Sequence, residues 1–203
     1  MRVLVGCEFS GEVRDAFIAA GHDAISCDFQ PTARPGPHYQ GDVRDLLNEP
    51  FDLAVFHPTC TYLSSSGLHW NRRRPERAQQ TEDALAFVRL LMATSIPRWA
   101  IENPIGCIST RIRKPDQIIQ PYHYGADASK ATCLWLKGLP KLTPTGFVEP
   151  RMANGRPRWA NQTDSGQNRL PPSDDRWAIR SMTYPGIAAA MASQWGNVYA
   201  PAA

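Results

Sequence analysis

Four short apolar runs, spaced by helix-like segments, restrict the folds open to this chain more than any other feature does. Arg2–Gly6, Ala24–Cys27, Phe51–Phe56 and Arg98–Ile101 read as strands. Between the first two, Gly11–Ala20 reads as a helix with Val13, Phe17 and Ile18 on its inner side and Gly21 at its end. Between the last two, Pro75 suits the first turn of a long helix reaching Thr94, with Leu85, Val88, Leu91 and Met92 as its apolar stripe. Residues 30–40, rich in Pro and Gly, read as loop. Strands alternating with helices in this way pack as a mostly parallel sheet with helices on both faces. In such sheets the functional groups gather beyond the carboxyl ends of the strands. Gly6–Gly11, Asp28, His57–Cys60 and Glu102–Pro104 each follow an expected strand end.

With 203 residues and 42% hydrophobic content the chain can bury one substantial core and is short for two full domains. No apolar run reaches the roughly 18 residues of a membrane span. The N-terminus enters a strand pattern without a cleavage region, so a cytoplasmic protein is expected. Cys7, Cys27, Cys60, Cys107 and Cys133 are scattered without a Cys-x-x-Cys pair, so neither a metal site nor a disulfide framework is expected. The open question is whether one of these thiols is reactive.

Charge is uneven along the chain. Residues 1–55 hold nine acidic and four basic side chains, whereas residues 56–203 hold ten acidic and eighteen basic ones. A basic distal part fits a nucleic-acid-binding face as well as an ordinary solvated surface. Residues 143–176 lose periodicity, and an apolar helical pattern returns over Tyr184–Trp195.

Read singly, the candidate residues leave alternatives open. Cys60, after a strand and upstream of Arg72, Arg73 and Arg74, fits an activated thiol or an inert one. Glu102, at a strand end and shielded from water, could have a raised pKa and hold a proton, or could simply precede a loop. Asp28 and Asp42 could accept hydrogen bonds from a nucleoside or cap a turn.

Taken in order, the segments resemble the DNA (cytosine-5)-methyltransferase family, particularly its small phage and prophage members. Val3–Gly11 with Val13-Arg14 is similar to that family's first cofactor loop. Asp28 lies near its ribose-binding acid, and Gly41-Asp42-Val43 is similar to its adenine-side Gly-Asp-Ile. Asp52–Phe56, Pro58-Thr59-Cys60 and Ser64–Gly67 resemble its nucleophile strand and loop, Ile101-Glu102-Asn103-Pro104 its Glu-Asn-Val, Tyr124-Gly125 with Cys133–Lys137 its Tyr-Gly and following strand, and Tyr184-Pro185 its last motif.

The resemblance implies a Rossmann-like class I methyltransferase fold with S-adenosylmethionine as cofactor. It places cofactor contacts at Cys7, Phe9, Ser10, Gly11, Asp28, Phe29, Asp42, Val43 and Pro58. Catalysis would fall to Cys60, Glu102, Asn103 and Lys130. The catalytic core would comprise 1–142 and 183–203, with 143–182 as a strongly reduced, basic substrate-recognition segment. Double-stranded DNA with its target base flipped out is the implied partner, with no obligate protein partner. Trp70, Arg72, Arg73, Arg74, Arg156, Arg158 and Trp159 are its expected contacts, since arginine with interleaved tryptophan suits phosphate contacts and base stacking. So short a segment implies short or relaxed sequence specificity.

The chain departs from the family where Lys130 and Thr132 stand in place of two arginines, where Thr61 replaces Gln, and where His57-Pro58-Thr59 replaces aromatic-Pro-Pro. Those departures keep two other readings open. One is cytosine-5 modification of RNA or a free (deoxy)cytidine nucleotide. The other is a catalytically inactive DNA-binding protein of the same fold.

Overall fold

A computed structural model describes residues 1–197; the end of the expected core, 198–203, lies outside the described residues. The elements in chain order are β1 (Arg2–Gly6), α1 (Glu12–Ala19), β2 (Asp23–Asp28), β3 (His38–Gln40), β4 (Leu53–Phe56), α2 (Pro75–Met92), β5 (Arg98–Pro104), α3 (Ile108–Arg111), β6 (Gln117–Ile119), β7 (Thr132–Lys137), β8 (Arg151–Ala153), β9 (Arg156–Arg158), α4 (Arg176–Ser181) and α5 (Pro185–Trp195).

Seven strands form one sheet in the order β3-β2-β1-β4-β5-β7-β6. All neighbours are parallel except β7, which runs antiparallel to both β5 and β6. This is the Rossmann-like class I methyltransferase arrangement, with helices on both faces. Side chains alternate between the faces, as the period of a strand requires. Val3, Val5, Leu53, Val55, Ala100 and Leu134 pack against α1 and α5, whose Phe17, Met191 and Trp195 are fully buried. Leu4, Ala54, Phe56, Ile101 and Trp135 pack on the opposite face against Leu85, Val88 and Leu91 of α2. β4 is buried along its whole length, as a central parallel strand covered on both sides must be.

Several sequence expectations need adjustment. Ile18 is 40% exposed, so the inner face of α1 consists of Val13 and Phe17 without it. The 30–40 loop ends in β3, a short edge strand that pairs with β2 through Ser26–Asp28; three half-exposed residues carry no apolar pattern to announce it. The largest difference concerns β5. It continues through Glu102 to Pro104 because β7 pairs with it from Trp99 onward, so Glu102 sits within the strand rather than beyond it. The distal segment is also structured. Asn154 and Gly155, both left-handed, turn the β8–β9 hairpin, and α4 follows it.

Among the described residues no helix is long and apolar enough to cross a membrane.

Candidate active site

Strand register builds the centre of the site. β1, β4 and β5 are aligned so that Gly6 stands opposite Phe56, and Phe56 opposite Ile101. One step further along, Cys7, His57 and Glu102 form the next row at the carboxyl edge. His57 continues the backbone pairing by donating its N–H to the Gly6 carbonyl at 2.9 Å. The side chains of His57 and Glu102 therefore emerge side by side, and His57 Nδ1 lies 3.1 Å from Glu102 Oε2. Both are nearly enclosed, with 8% and 13% of their side-chain surface exposed. Thr132, from β7, lies beside Glu102 with its hydroxyl donating to the Lys130 carbonyl at 3.1 Å. Lys130 lines the same small recess with Thr183, Tyr184 and Ile187.

These neighbours decide the charge of Glu102. Burial pushes its carboxyl up, but the His57 hydrogen bond, the Lys130 ammonium and the Thr132 hydroxyl together outweigh burial and hold it below the usual carboxylate range. The raised pKa expected from sequence is thus reversed: enclosure alone would raise it, and three donors or cations reverse the sign. Lys130 is itself tethered, its Nζ donating to the Arg180 carbonyl at the end of α4 at 3.0 Å.

Cys60 lies on the loop after β4. The residue reaches solvent, yet the surrounding protein desolvates its sulfur enough to push the thiol up. The Glu102 charge adds to this rise, while Lys130 and Arg180 pull the other way. Cys60 and Glu102 therefore share one electrostatic environment. The loop is anchored from both flanks. Arg77 Nη2 and Thr81 Oγ1, on α2, donate to the carbonyls of Thr61 at 2.7 Å and Tyr62 at 3.0 Å. From the other side, Cys107 N donates to Leu63 O at 2.9 Å and Ser65 N to Ile105 O at 3.0 Å. Gly106 permits this approach, since a Cβ there would come within 1.9 Å of the Leu63 carbonyl oxygen. Asn103 faces the α2 side of the sheet, where Nδ2 donates to Pro58 O. It acts as a strut and has no contact with the recess.

Next to this centre a cleft of about 480 Å³ opens at the ends of β1, β2 and β4. Cys7, Asp28, Phe29, Asp42, Val43 and Pro58 line it, together with Tyr62, Leu63, Asp83 and Phe87. Cys7 holds a left-handed backbone conformation (φ 60°), uncommon outside glycine. Burial is the main reason the Cys7 and Cys27 thiols are raised, Cys27 to about 12, so neither suits a nucleophile at neutral pH. Asp28 accepts from the Gln30 amide at 2.9 Å through Oδ1. Asp42 caps the turn after it and pairs with Arg44, whose hydrogen bond holds its carboxyl below the usual range against a weaker opposing effect of burial.

The structure does not bring Phe9, Ser10 and Gly11 into the cleft lining. Phe9 packs on Trp177 with ring centroids 5.5 Å apart. Ser10 is buried and donates to Glu8, whose carboxylate also accepts the Val13 amide at 2.8 Å. Glu8 thus caps α1 from inside the protein and occupies amides that the first cofactor loop was expected to offer a ligand. Gly11, left-handed at φ 74°, lies against the fully buried Arg14 guanidinium.

Of the expected nucleic-acid contacts, Arg72, Arg73, Arg74 and Arg156 are exposed. Trp70 is 40% exposed, with Arg73 and Arg74 over its ring. Arg158 is half-buried and bonded to the Asp164 carbonyl. Trp159 is a correction. It is buried, stacked on Tyr122 at 4.1 Å, and its indole N–H is bonded to Val148 O, so it is not available to stack on a base. The short aromatic-rich segment needed a core of its own, and Trp159 supplies it.

His57, Thr132, Arg77 and Glu8 were given no role from sequence, although His57 and Glu8 fall in segments that follow expected strand ends. Strand register would have found His57, because aligning Phe56 with Ile101 makes it the neighbour of Glu102. Thr132 is placed by the antiparallel β5–β7 register, and Arg77 and Glu8 by helix and loop contacts across the site; no local pattern records any of the three.

No protein-family profile matches the chain, and no curated protein matches it. Similar solved structures include a DNA modification methyltransferase encoded within a prophage of E. coli, 16% identical over 73% of this chain and 52% of that one, with TM-score 0.47. A second is the S. pombe Dnmt2 methyltransferase, 17% identical over 67% of this chain and 48% of that one, with TM-score 0.41. A third is the Entamoeba histolytica methyltransferase EhMeth, 12% identical over 73% of this chain and 58% of that one, with TM-score 0.49. The chain spans about half the length of each of these structures.

Proposed function

We propose that this protein transfers a methyl group from S-adenosylmethionine to carbon 5 of cytosine in DNA, with short or relaxed sequence specificity. One observation carries the reading. Pro58 and Thr59 form part of the cleft wall, and the next residue, Cys60, lies within reach of the Glu102 charge. A nucleoside cofactor and a pyrimidine would therefore meet across a single loop.

The cleft fits the nucleoside half of that cofactor. Asp28 has an oxygen beyond the one bonded to Gln30, suited to a ribose hydroxyl. The exposed ring of Phe29 and the apolar surfaces of Val43, Leu63 and Phe87 suit an adenine. With Asp42 paired to Arg44, Asp28 and Asp83 leave the cleft a net negative lining that a cationic ligand favours. When bound, the cofactor supplies an electrophilic methyl group on a sulfonium.

The chain's residues then have defined tasks. The Cys60 thiolate adds to carbon 6 of the flipped base, and the ring π electrons move toward carbon 5 and nitrogen 3. Glu102 faces the nitrogen 3 edge; ionised in the free protein, it takes up a proton from solvent when the base binds, and that proton, shared between carboxyl and ring, offsets the developing charge. Lys130 and Thr132 stabilise the carboxylate that remains. After carbon 5 gains the methyl group, its proton passes to solvent water, nitrogen 3 returns its proton to the Glu102 carboxylate, and the thiolate leaves as the ring regains its double bond.

DNA containing 5-fluorocytosine tests the reading, because fluorine blocks the last elimination. With cofactor present, wild-type protein is expected to form a covalent adduct through Cys60, mapped by peptide mass spectrometry. Absence of any adduct on DNA, RNA or nucleotide would sink the assignment.

The burial of Trp159 favours a second reading, in which a free cytidine nucleotide or RNA is the substrate, since a base-stacking side chain expected for the recognition segment is missing. A mononucleotide site would show affinity independent of DNA length and little loss with salt.

A further inference from the structure

We propose that His57 is a positioning residue for Glu102. Through Nδ1 it fixes the carboxylate and stabilises the charge that Glu102 acquires when its proton moves to the pyrimidine ring. This inference rests on the cytosine reading above and assigns a role to a residue that the reading leaves idle.

The argument begins with geometry. His57 and Glu102 each follow the paired residues Phe56 and Ile101 on neighbouring parallel strands, so backbone pairing determines their contact independently of any flexible loop. The Nδ1–Oε2 separation of 3.1 Å joins two side chains that are both about nine-tenths enclosed. An ionised carboxylate can only accept, so Nδ1 must carry the hydrogen. The other ring nitrogen supports the same tautomer. Nε2 is buried and makes no hydrogen bond among the described residues. A hydrogen there would be stranded without an acceptor, whereas a bare ring nitrogen is the less costly group to leave unpaired. The imidazole is therefore oriented as a dedicated donor to Glu102, in the manner of a group that orients a catalytic side chain without touching the substrate.

The chemistry needs such a donor. Glu102, ionised in the free protein, takes up a proton from solvent as the pyrimidine binds and shares it with nitrogen 3; as the thiolate adds to the ring, that proton shifts to nitrogen, and the electron pair of the broken O–H bond stays on the carboxylate. No other bond changes in that step. A hydrogen bond from His57 is strongest to the ionised form, so it favours the transferred state over the untransferred one. The remaining charged or titratable groups around the pair are Lys130 and Tyr184 in the recess, Cys60 with Arg180 beside it, Cys7 in the same row, and Cys133 on the opposite face of the sheet. Lys130 is held at a distance by the Arg180 carbonyl, which leaves His57 as the ring donor in direct contact with the carboxylate.

Two variants separate this role from simple packing. His57→Phe fills the space without a donor. His57→Asn places an amide N–H near the position of Nδ1. Rates of adduct formation on 5-fluorocytosine DNA, measured with saturating DNA and cofactor, are expected to fall about tenfold or more in His57→Phe, the size of one lost hydrogen bond to a charged group. His57→Asn is expected to recover most of that loss, and DNA affinity is expected to change little in either.

Selective carbon-13 labelling of glutamate provides a readout independent of activity. The Glu102 carboxyl signal, assigned by its disappearance in Glu102→Gln, is expected to titrate at a higher pH in His57→Phe than in wild type. An unchanged Glu102 titration in a folded His57→Phe protein would overturn the proposal, as would equal adduct rates in wild type and both variants. If wild-type protein forms no adduct while the Glu102 titration still depends on His57, the pairing stands and the cytosine reading fails.

Discussion

Asn103 Nδ2 donates to the carbonyl of Pro58 at 2.6 Å, so the strand that carries Glu102 is tied directly to the segment that leads to Cys60. Cys60 and Glu102 come from different parts of the chain, and their mutual placement depends on such ties. Asn103 is buried on the α2 side of the sheet. Asn103→Ala leaves a buried carbonyl without its donor, and the expected loss is about 1–3 kcal/mol in urea unfolding. Adduct formation should slow more than cofactor binding weakens. A variant of full stability and activity would show that the tie is dispensable.

The thiol of Cys60 gives the sharpest pH prediction. Desolvation and then the Glu102 anion raise it, so the thiolate is scarce at neutral pH and alkylation by iodoacetamide should quicken as pH rises past the ordinary thiol range. Glu102→Gln removes an anion that disfavours the thiolate. The midpoint should therefore fall, and alkylation at neutral pH should be faster in the variant although methyl transfer is slower. Peptide mapping should locate the early label on Cys60, because Cys27, Cys107 and Cys133 are buried and Cys7 is strongly raised. Equal alkylation profiles would mean that the two side chains do not interact.

The pattern of the sequence carried the fold further than it carried the site. β1, β4 and α2 announce themselves because a strand buried on both faces must be apolar throughout, and a long helix over a sheet must show a stripe. β3 and β6 have three residues each, too few for a period to appear. The extension of β5 to Pro104 depends on an antiparallel partner some thirty residues away, and nothing local marks it. Cys60 and Glu102 could be placed at one sheet edge because each ends or follows an apolar run, but their pairing came only from the family resemblance. The charge of Glu102 could not be read, since it depends on His57, Lys130 and Thr132 arriving from separate segments. Likewise, Ser10 resembles a ligand-binding residue until the buried carboxylate of Glu8 is seen to occupy it.

Asp28 and Asp42 should contribute differently to cofactor binding. Asp28→Ala removes an oxygen facing the cleft and the exposed acceptor of the Gln30 amide, so calorimetry is expected to show S-adenosylmethionine binding weakened about tenfold with a stability loss of about 1 kcal/mol or less. Asp42 is already committed to Arg44 and to the amide it caps. Asp42→Ala should cost about 1 kcal/mol of stability as a lost cap and free Arg44 beside the cleft. A larger binding loss in Asp42→Ala than in Asp28→Ala would reverse the assignment of the ribose acid.

Two tryptophans expected to touch nucleic acid should separate cleanly. Trp70 lies exposed beside Arg72, Arg73 and Arg74, with two guanidinium groups over its ring. Replacing the three arginines with alanine should weaken duplex binding and flatten its dependence on salt, by a slope of about one unit for each lost phosphate contact. Trp70→Ala should mainly reduce the rate of adduct formation on duplex DNA, and much less on single-stranded DNA, if the ring helps fill the space left by a flipped base. Trp159→Leu should behave in the opposite way. Its ring is stacked on Tyr122 and bonded to Val148 O, so the substitution should cost about 2–4 kcal/mol of stability or unfold the distal segment. Fluorescence-monitored unfolding and filter binding across a salt series would check both. If Trp159→Leu stays folded and loses DNA affinity while Trp70→Ala loses nothing, the nucleic-acid face lies on the distal segment and away from the Cys60 loop.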